Sequence, residues 1–240
     1  MNDFLHQKKA VVTGGARGIG RAIAARLARE GAVVAICART AESVASVVVE
    51  LSQETGGHVI GKAADVSDDR QVADFFRYVD SQLGGLDILV NNAGVGIFAP
   101  VAELTIEDWR RTIETNLSGA FYCSREALHR FRDQNGGWII NISSLAGKNP
   151  FASGAAYNAS KFGLNGFSEA MMMDHRYDNV RVSNILPGSV ETEFRPGTSD
   201  RQGGWKIAPD DIAEIVLSIL RMPERTLISR VEVRPSKPRK

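Results

Sequence analysis

The chain has 240 residues, 43% hydrophobic and 24% charged, which excludes a disordered or fibrous polymer and is enough for one sizeable core. Its 29 Lys+Arg and 28 Asp+Glu leave a formal charge of +1, so it carries no broad basic field for gripping nucleic acid. Its 2 cysteines, Cys37 and Cys123, lie far apart and outside any CxxC or Cys/His cluster, so neither a disulfide framework nor a metal site is indicated and a reducing cytoplasm is the natural setting.

The first nine residues lack the apolar core of a signal peptide, and no run approaches the roughly 18 apolar residues that span a bilayer. In chain order, an apolar strand at 10–13 ends in Gly14-Gly15, and Ile19, Ile23 and Leu27 then recur at helical spacing up to Gly31. The alternation continues with a strand at 32–38, a helix at 41–54 and a strand at 58–66. Asp68 N-caps a helix running to Leu83, and 86–90 reads as a fully buried strand. A helix at 105–132, a strand at 138–143, a helix at 154–177 and a strand at 180–186 follow, then a Pro209-led helix to Leu220 and a last strand at 228–233. Gly-Gly pairs at 56/57, 84/85 and 136/137 each precede a strand, where a helix-terminating residue able to take positive φ belongs. This pattern predicts an α/β chain: a single doubly wound domain over 1–240, with a mostly parallel sheet of about seven strands and helices on both faces. The irregular segment 191–208 reads as a substrate loop.

Glycine supplies 23 of the 240 residues, nearly one in ten against about 7% in average usage. Part of the excess falls in the first strand-to-helix turn, Thr13-Gly14-Gly15-Ala16-Arg17-Gly18-Ile19-Gly20, where bare backbone and the free N–H groups of a helix start suit a pyrophosphate. The spacing is GxxxGxG. Together with Asn91-Asn92-Ala93-Gly94, Tyr157-x-x-x-Lys161 and Pro187-Gly188, in that order and at those separations, this turn resembles the short-chain dehydrogenase/reductase family over nearly the whole chain. The resemblance implies that Gly14, Arg17, Gly18, Ile19 and Gly20, with Gly15, face a dinucleotide, and that Asp65 and Val66 flank its adenine. It further implies that Asn92, Ala93 and Gly94 line the ribose and nicotinamide, and that Pro187, Gly188, Val190 and Thr192 hold the carboxamide. A carboxylate at the end of the second strand would repel a 2′-phosphate, whereas Arg39 stands there, seconded by Arg17. NADP(H) is therefore the expected cofactor, with NAD(H) as the alternative.

Tyr157 and Lys161 lie four residues apart on one helix face. Tyrosine ordinarily titrates at about 10, and a nearby ammonium favours its phenolate, which fits it to exchange a proton at a carbonyl oxygen near neutral pH. Ser144, 13 residues before Tyr157, matches the family's catalytic serine, with Ser143 as the competing candidate. Asn116 corresponds to the family's helix-kinking asparagine, which holds a water on Lys161. The implied reaction is hydride transfer between NADP(H) and a ketone or secondary alcohol, without a metal, with Tyr157 and Lys161 also at the cofactor and Lys161 serving both the tyrosine and the cofactor ribose. The alternatives are an NAD-dependent alcohol dehydrogenase of the same fold and a dinucleotide-binding sensor without turnover.

Val95 to Phe98, Lys148 to Phe151 and the segment from Phe194 to Trp205 should bound a pocket for a small apolar carbonyl substrate, although the same residues suit packing against a neighbouring subunit. The amino-terminal half resembles 3-oxoacyl-acyl-carrier-protein reductases, but the ending Ile228-Ser229-Arg230-Val231-Glu232-Val233-Arg234-Pro235 departs from the Val-Asp-Gly-Gly style common in those enzymes. A homodimer or homotetramer is expected through the helices of Asn116 and Tyr157, and Met171 to Met173 are candidates for that interface or for the core. The basic end, Arg234, Lys237, Arg239 and Lys240, reads as a solvated tail.

Overall fold

In the computed structural model, which describes residues 4–192, 194 and 204–238, strands and helices alternate along the chain. The strands are β1 (Lys9–Thr13), β2 (Val33–Ala38), β3 (Val59–Ala63), β4 (Ile88–Asn91), β5 (Gly137–Ile142), β6 (Val180–Pro187) and β7 (Arg230–Val233). The helices are α1 (Gly18–Arg29), α2 (Ala41–Thr55), α3 (Asp69–Leu83), α4 (Ile106–Ile113), α5 (Gly119–Asp133), α6 (Ala155–His175) and α7 (Pro209–Leu220). All seven strands are parallel, in the order β3-β2-β1-β4-β5-β6-β7.

The central strands β1, β2, β4 and β5 are mostly apolar because both faces of the sheet are covered there, and alternate residues feed two separate cores. Ala10 and Val12 of β1, Val34 and Ile36 of β2 and Ile140 of β5 meet Ile23 and Leu27 of α1, Leu51 of α2 and Val216 of α7. Val11, Ala35, Cys37, Leu89 and Ile139 point the other way, onto Phe75 and Phe76 of α3, Phe131 of α5 and Met171 of α6. Met171 is thus core, while Met173 is 57% exposed, which divides the methionine run between two environments.

Several boundaries differ from the sequence expectation for local reasons. β3 stops at Ala63 because Asp65 turns the chain: its Oδ1 accepts from Ser67 N at 3.0 Å and from Ser67 Oγ at 2.7 Å. Asp68 does cap α3, accepting from Arg70 N at 2.9 Å and Gln71 N at 3.2 Å. The single helix expected at 105–132 is divided by a π-helical turn, Glu114–Ser118, centred on Asn116. Gly56 and Gly84 take left-handed φ of 66° and 67° as C-caps, but the third pair does not cap its helix: Gln134 is the C-cap of α5, Asn135 turns at φ 63°, and Gly137 already belongs to β5. Of the expected substrate loop at 191–208, residues 193 and 195–203, including Gly203, lie outside the described residues, as do Arg239 and Lys240 of the tail. Ile207 forms a parallel bridge with Val190.

Candidate active site

β1 and β4 are neighbours in the sheet, yet the chain leaves β1 toward β2 on the other side. This divergence opens a crevice at the carboxyl ends of the strands. The cleft there has a volume of about 1320 Å³.

Its floor is a set of side-chain-to-backbone hydrogen bonds between the first turn and the end of β4. Thr13 Oγ1 accepts from Asn92 N at 3.0 Å and from Ala93 N at 3.1 Å, while Asn92 Nδ2 donates to Thr13 O at 3.0 Å and Gly14 O at 3.1 Å. Asn92 therefore lines the cleft with its amide already committed to holding the glycine turn. Gly14 sits at φ +63°, and a Cβ there would stand 2.9 Å from Ala93 Cα. Gly20 does not line the cleft; a Cβ on it would lie 2.3 Å from Gly14 O, so its bareness lets α1 press against the back of the turn. Gly15 packs against Ile36 of the sheet and is not a cleft residue. The first turn of α1 carries no acidic side chain and no side-chain cap, which leaves its positive end facing the opening formed by Gly14, Gly18 and Ile19.

One end of the cleft is lined by Arg17, Arg39, Asp65 and Val66, the two arginines exposed at its rim. A bare-backbone turn at a helix N-terminus, followed by two cations and a single carboxylate already engaged by Ser67, fits a phosphorylated dinucleotide. Ala93 and Gly94 line the middle, with Pro187, Gly188, Val190 and Thr192 also on the wall.

The other end brings together Ser144, Tyr157 and Lys161. Tyr157 and Lys161 project from the first turns of α6, with the ammonium 5.9 Å from the centre of the phenol ring. Phe98 and Phe194 crowd the same ring, at centroid distances of 5.5 and 5.8 Å. Lys161 is buried, donates to Ile142 O at 2.9 Å, and is pushed down to about 8 by burial. Ser144 Oγ accepts from Ala146 N at 3.1 Å and makes a long 3.5 Å approach to Pro187 O. Ser143, the competing candidate, is more firmly engaged, donating to Asn165 Oδ1 at 2.6 Å. Asn116 is buried behind the wall: it accepts from Val95 N at 2.8 Å and donates to Val95 O at 2.9 Å and Ser160 Oγ at 3.0 Å. Its side chain thus fastens the segment after β4 to α6 and makes no hydrogen bond to Lys161. Both cysteines are buried, Cys37 pushed up to about 12 and Cys123 raised, so neither is a reactive thiol.

Sequence reasoning missed a second layer of asparagines. Asn91, Asn141 and Asn184 occupy one rung across β4, β5 and β6. Asn91 Nδ2 donates to Asn141 Oδ1 at 2.9 Å, and Asn184 Nδ2 donates to Asn165 Oδ1 at 2.8 Å. Asn165 Nδ2 and Asn158 Nδ2 hold Gly147 O and Ala146 O at 2.9 and 2.6 Å, fixing the loop that begins at Ser144. A signal was available: asparagine is a poor strand residue, yet Asn141 interrupts the apolar run of β5, Asn91 ends that of β4, and Asn184 follows Ser183 in β6. Of the tail expected to be solvated, Lys237 is exposed, whereas Arg234, exposed as well, forms part of the cleft wall with Pro235 and Pro238.

The sequence model of the short chain dehydrogenase family matches residues 8–203. The chain is a short-chain dehydrogenase/reductase. Sepiapterin reductase of Chlorobaculum tepidum is 34% identical to this short-chain dehydrogenase/reductase over 233 residues, covering 94% of this chain and 95% of that one. A solved alcohol dehydrogenase from the archaeon Thermococcus sibiricus, complexed with 5-hydroxy-NADP, superposes with a TM-score of 0.89 at 31% identity, over 97% of this chain and 98% of its own. A metagenomic short-chain oxidoreductase in complex with NADP gives a TM-score of 0.86 at 39% identity, over 98% and 99%. The short-chain dehydrogenase/reductase described here is accordingly an oxidoreductase with the doubly wound fold of its family.

Proposed function

We propose that the enzyme interconverts a small ketone and its secondary alcohol with NADP(H), Tyr157 acting as proton donor and acceptor. The observation that carries this reading is the layout of the cleft, with Ser144, Tyr157 and Lys161 at one end and Arg17 and Arg39 at the other. The solved relatives that carry NADP or its derivative support the same cofactor. Gly14, Gly18, Ile19 and the N-terminus of α1 would hold its pyrophosphate, with Gly20 making the turn close enough, and Arg17 and Arg39 its 2′-phosphate. Asp65 and Val66 would flank the adenine, Asn92, Ala93 and Gly94 the ribose, and Pro187, Gly188, Val190 and Thr192 the carboxamide.

When bound, the nicotinamide supplies or accepts the hydride. The side chains do the rest. The Ser144 hydroxyl positions the substrate oxygen, and the Tyr157 hydroxyl gives it a proton in reduction or takes one in oxidation. With its pKa lowered to about 8, Lys161 is still about ten to one ammonium at pH 7, and that charge favours the phenolate of Tyr157. Asn116 is a positioning residue, fixing Val95 on the cleft wall and Ser160 beside Lys161. Phe121 and Phe162, each 45% exposed, and Met173 on α5 and α6 are the apolar surface on which a second copy would pack into a dimer or tetramer. The two buried thiols suit a reducing cytoplasm.

The test is Tyr157→Phe. NADPH oxidation over a panel of ketones should fall at least about a thousandfold, while NADPH affinity by fluorescence titration stays within about twofold. Substantial residual turnover with a good substrate would falsify the role given to Tyr157.

A further inference from the structure

The chain's last strand delivers its C-terminal residues to the substrate end of the cleft. Arg234 and Pro235, which follow β7 directly, lie on the cleft wall. Two links bring them to the serine loop. Gly188 N donates to Val233 O at 2.8 Å, and a Cβ on Gly188 would stand 3.2 Å from Pro235 Cδ and 3.1 Å from Leu145 Cδ1, so this short segment packs beside the residue that follows Ser144. From the same loop, Lys148 Nζ donates to Glu232 Oε1 at 2.5 Å, while Arg234 Nη2 donates to Glu232 Oε2 at 3.1 Å. One carboxylate thus answers two cations, and the trio keeps one positive charge. Glu232 is held below the usual carboxylate range, first by Lys148 and then by Arg234.

The remaining wall makes that excess charge informative. Among the described residues, the single carboxylate lining the cleft is Asp65, at the adenosine end and engaged by Ser67. Around Tyr157 the walls are the rings of Phe98, Phe151 and Phe194. The serine, the tyrosine and the rings share one cleft with the cations Arg234 and Lys206, a set that complements a substrate with a carbonyl, an apolar body and a negative charge. We propose that Arg234, partly neutralised by Glu232 and seconded by Lys148, is a specificity residue that selects carbonyl substrates bearing a carboxylate on an apolar chain. This rests on the enzyme being a ketone reductase and goes beyond it by naming the substrate class.

The test compares keto acids with their methyl esters, which share shape and differ in charge. Binding of 4-oxopentanoate, 6-oxoheptanoate and 8-oxononanoate, each beside its ester, is measured by calorimetry on enzyme loaded with NADP+. Since Arg234 is exposed, the expected preference for acid over ester is about fivefold at the chain length that spans the gap to it, and it shrinks in high salt. Arg234→Gln should bring that ratio to about one. Glu232→Gln should raise it, because both cations then lose their internal carboxylate. If Glu232 is only a structural pin, its loss weakens acid and ester alike, which overturns the proposal. So do a wild-type ratio near one at every length, no detectable binding of any acid, a ratio untouched by Arg234→Gln, or a loss of NADP+ affinity in that variant, which would give the guanidinium to the cofactor. Turnover with NADPH separates the two levels: esters reduced without preference for the acids sink the specificity alone, whereas no reduction of acid or ester sinks the ketone-reductase reading.

Discussion

Lys161 shows how a single residue joins stability to chemistry. Burial lowers its pKa from 10.5 to about 8, so between those values the unfolded chain binds more protons than the folded one and stability rises with pH. Below pH 8 the full cost of burying the charge is present, on the order of 3 kcal/mol, and it fades as the pH approaches 10.5. Lys161→Met should therefore abolish turnover yet raise stability at pH 7, by up to about 3 kcal/mol in urea melts, with the gain vanishing near pH 10.5. A variant less stable than wild type at pH 7 contradicts that account. Arg39 makes a complementary case at the other end of the cleft. Replacing it with Asp should weaken NADPH binding at least about tenfold more than NADH binding, since a carboxylate repels the 2′-phosphate but accepts from a ribose hydroxyl. Equal losses in parallel titrations would remove Arg39 from the cofactor assignment. The places of both residues on the cleft wall were legible in the sequence because local periodicity fixes them: Lys161 one helical turn from Tyr157, Arg39 just beyond a strand end. The bonds made by Asn116 were not legible, because its partners Val95 and Ser160 lie 21 and 44 residues away and no local pattern pairs them.

Among the elements, α6 does more than present Tyr157 and Lys161. Its Asn158 and Asn165 reach across to the carbonyls of Ala146 and Gly147, so the helix that carries the tyrosine also sets the loop that carries the serine. Asn165→Leu leaves Ser143 Oγ, Asn184 Nδ2 and Gly147 O without that partner, and should cost about 1–3 kcal/mol in denaturant midpoints. In the same variant kcat should drop while NADPH affinity holds, because the glycine turn is untouched; an unchanged kcat would show that Ser144 is fixed without α6. The order and type of the elements followed from hydrophobic period and glycine punctuation, since those are local properties. What escaped was the π turn at Glu114–Ser118, which leaves the hydrophobic period of a helix nearly undisturbed, and the end of α5, where Gln134 brackets Leu86 with bonds of 2.9 and 3.0 Å and so decides the boundary from 48 residues away.

At the scale of the whole molecule, the strand order divides the cleft by position in the chain. β1, β2 and β3 precede β4 and stand on one side of it, whereas β5, β6 and β7 follow and stand on the other. The end proposed for adenosine is accordingly lined by residues up to Asp65 and Val66, and the end of Ser144, Tyr157 and Lys161 by residues up to Arg234, with Phe98 the member that precedes them in the chain. Between them runs an exposed connection after β4, where Val101, Ala102 and Glu103 face solvent. Inheritance can therefore act on Arg39 and on Arg234 independently. A gene crossover near residue 103 with a relative of opposite cofactor preference should yield a chimera whose NADPH-to-NADH ratio follows the parent of its first part. Its choice among keto acids and esters should follow the parent of its second part, and kinetics of the two reciprocal chimeras would show it. One crossing per gene, in a loop that holds no strand together, is enough to recombine what the enzyme reduces with what it uses as reductant.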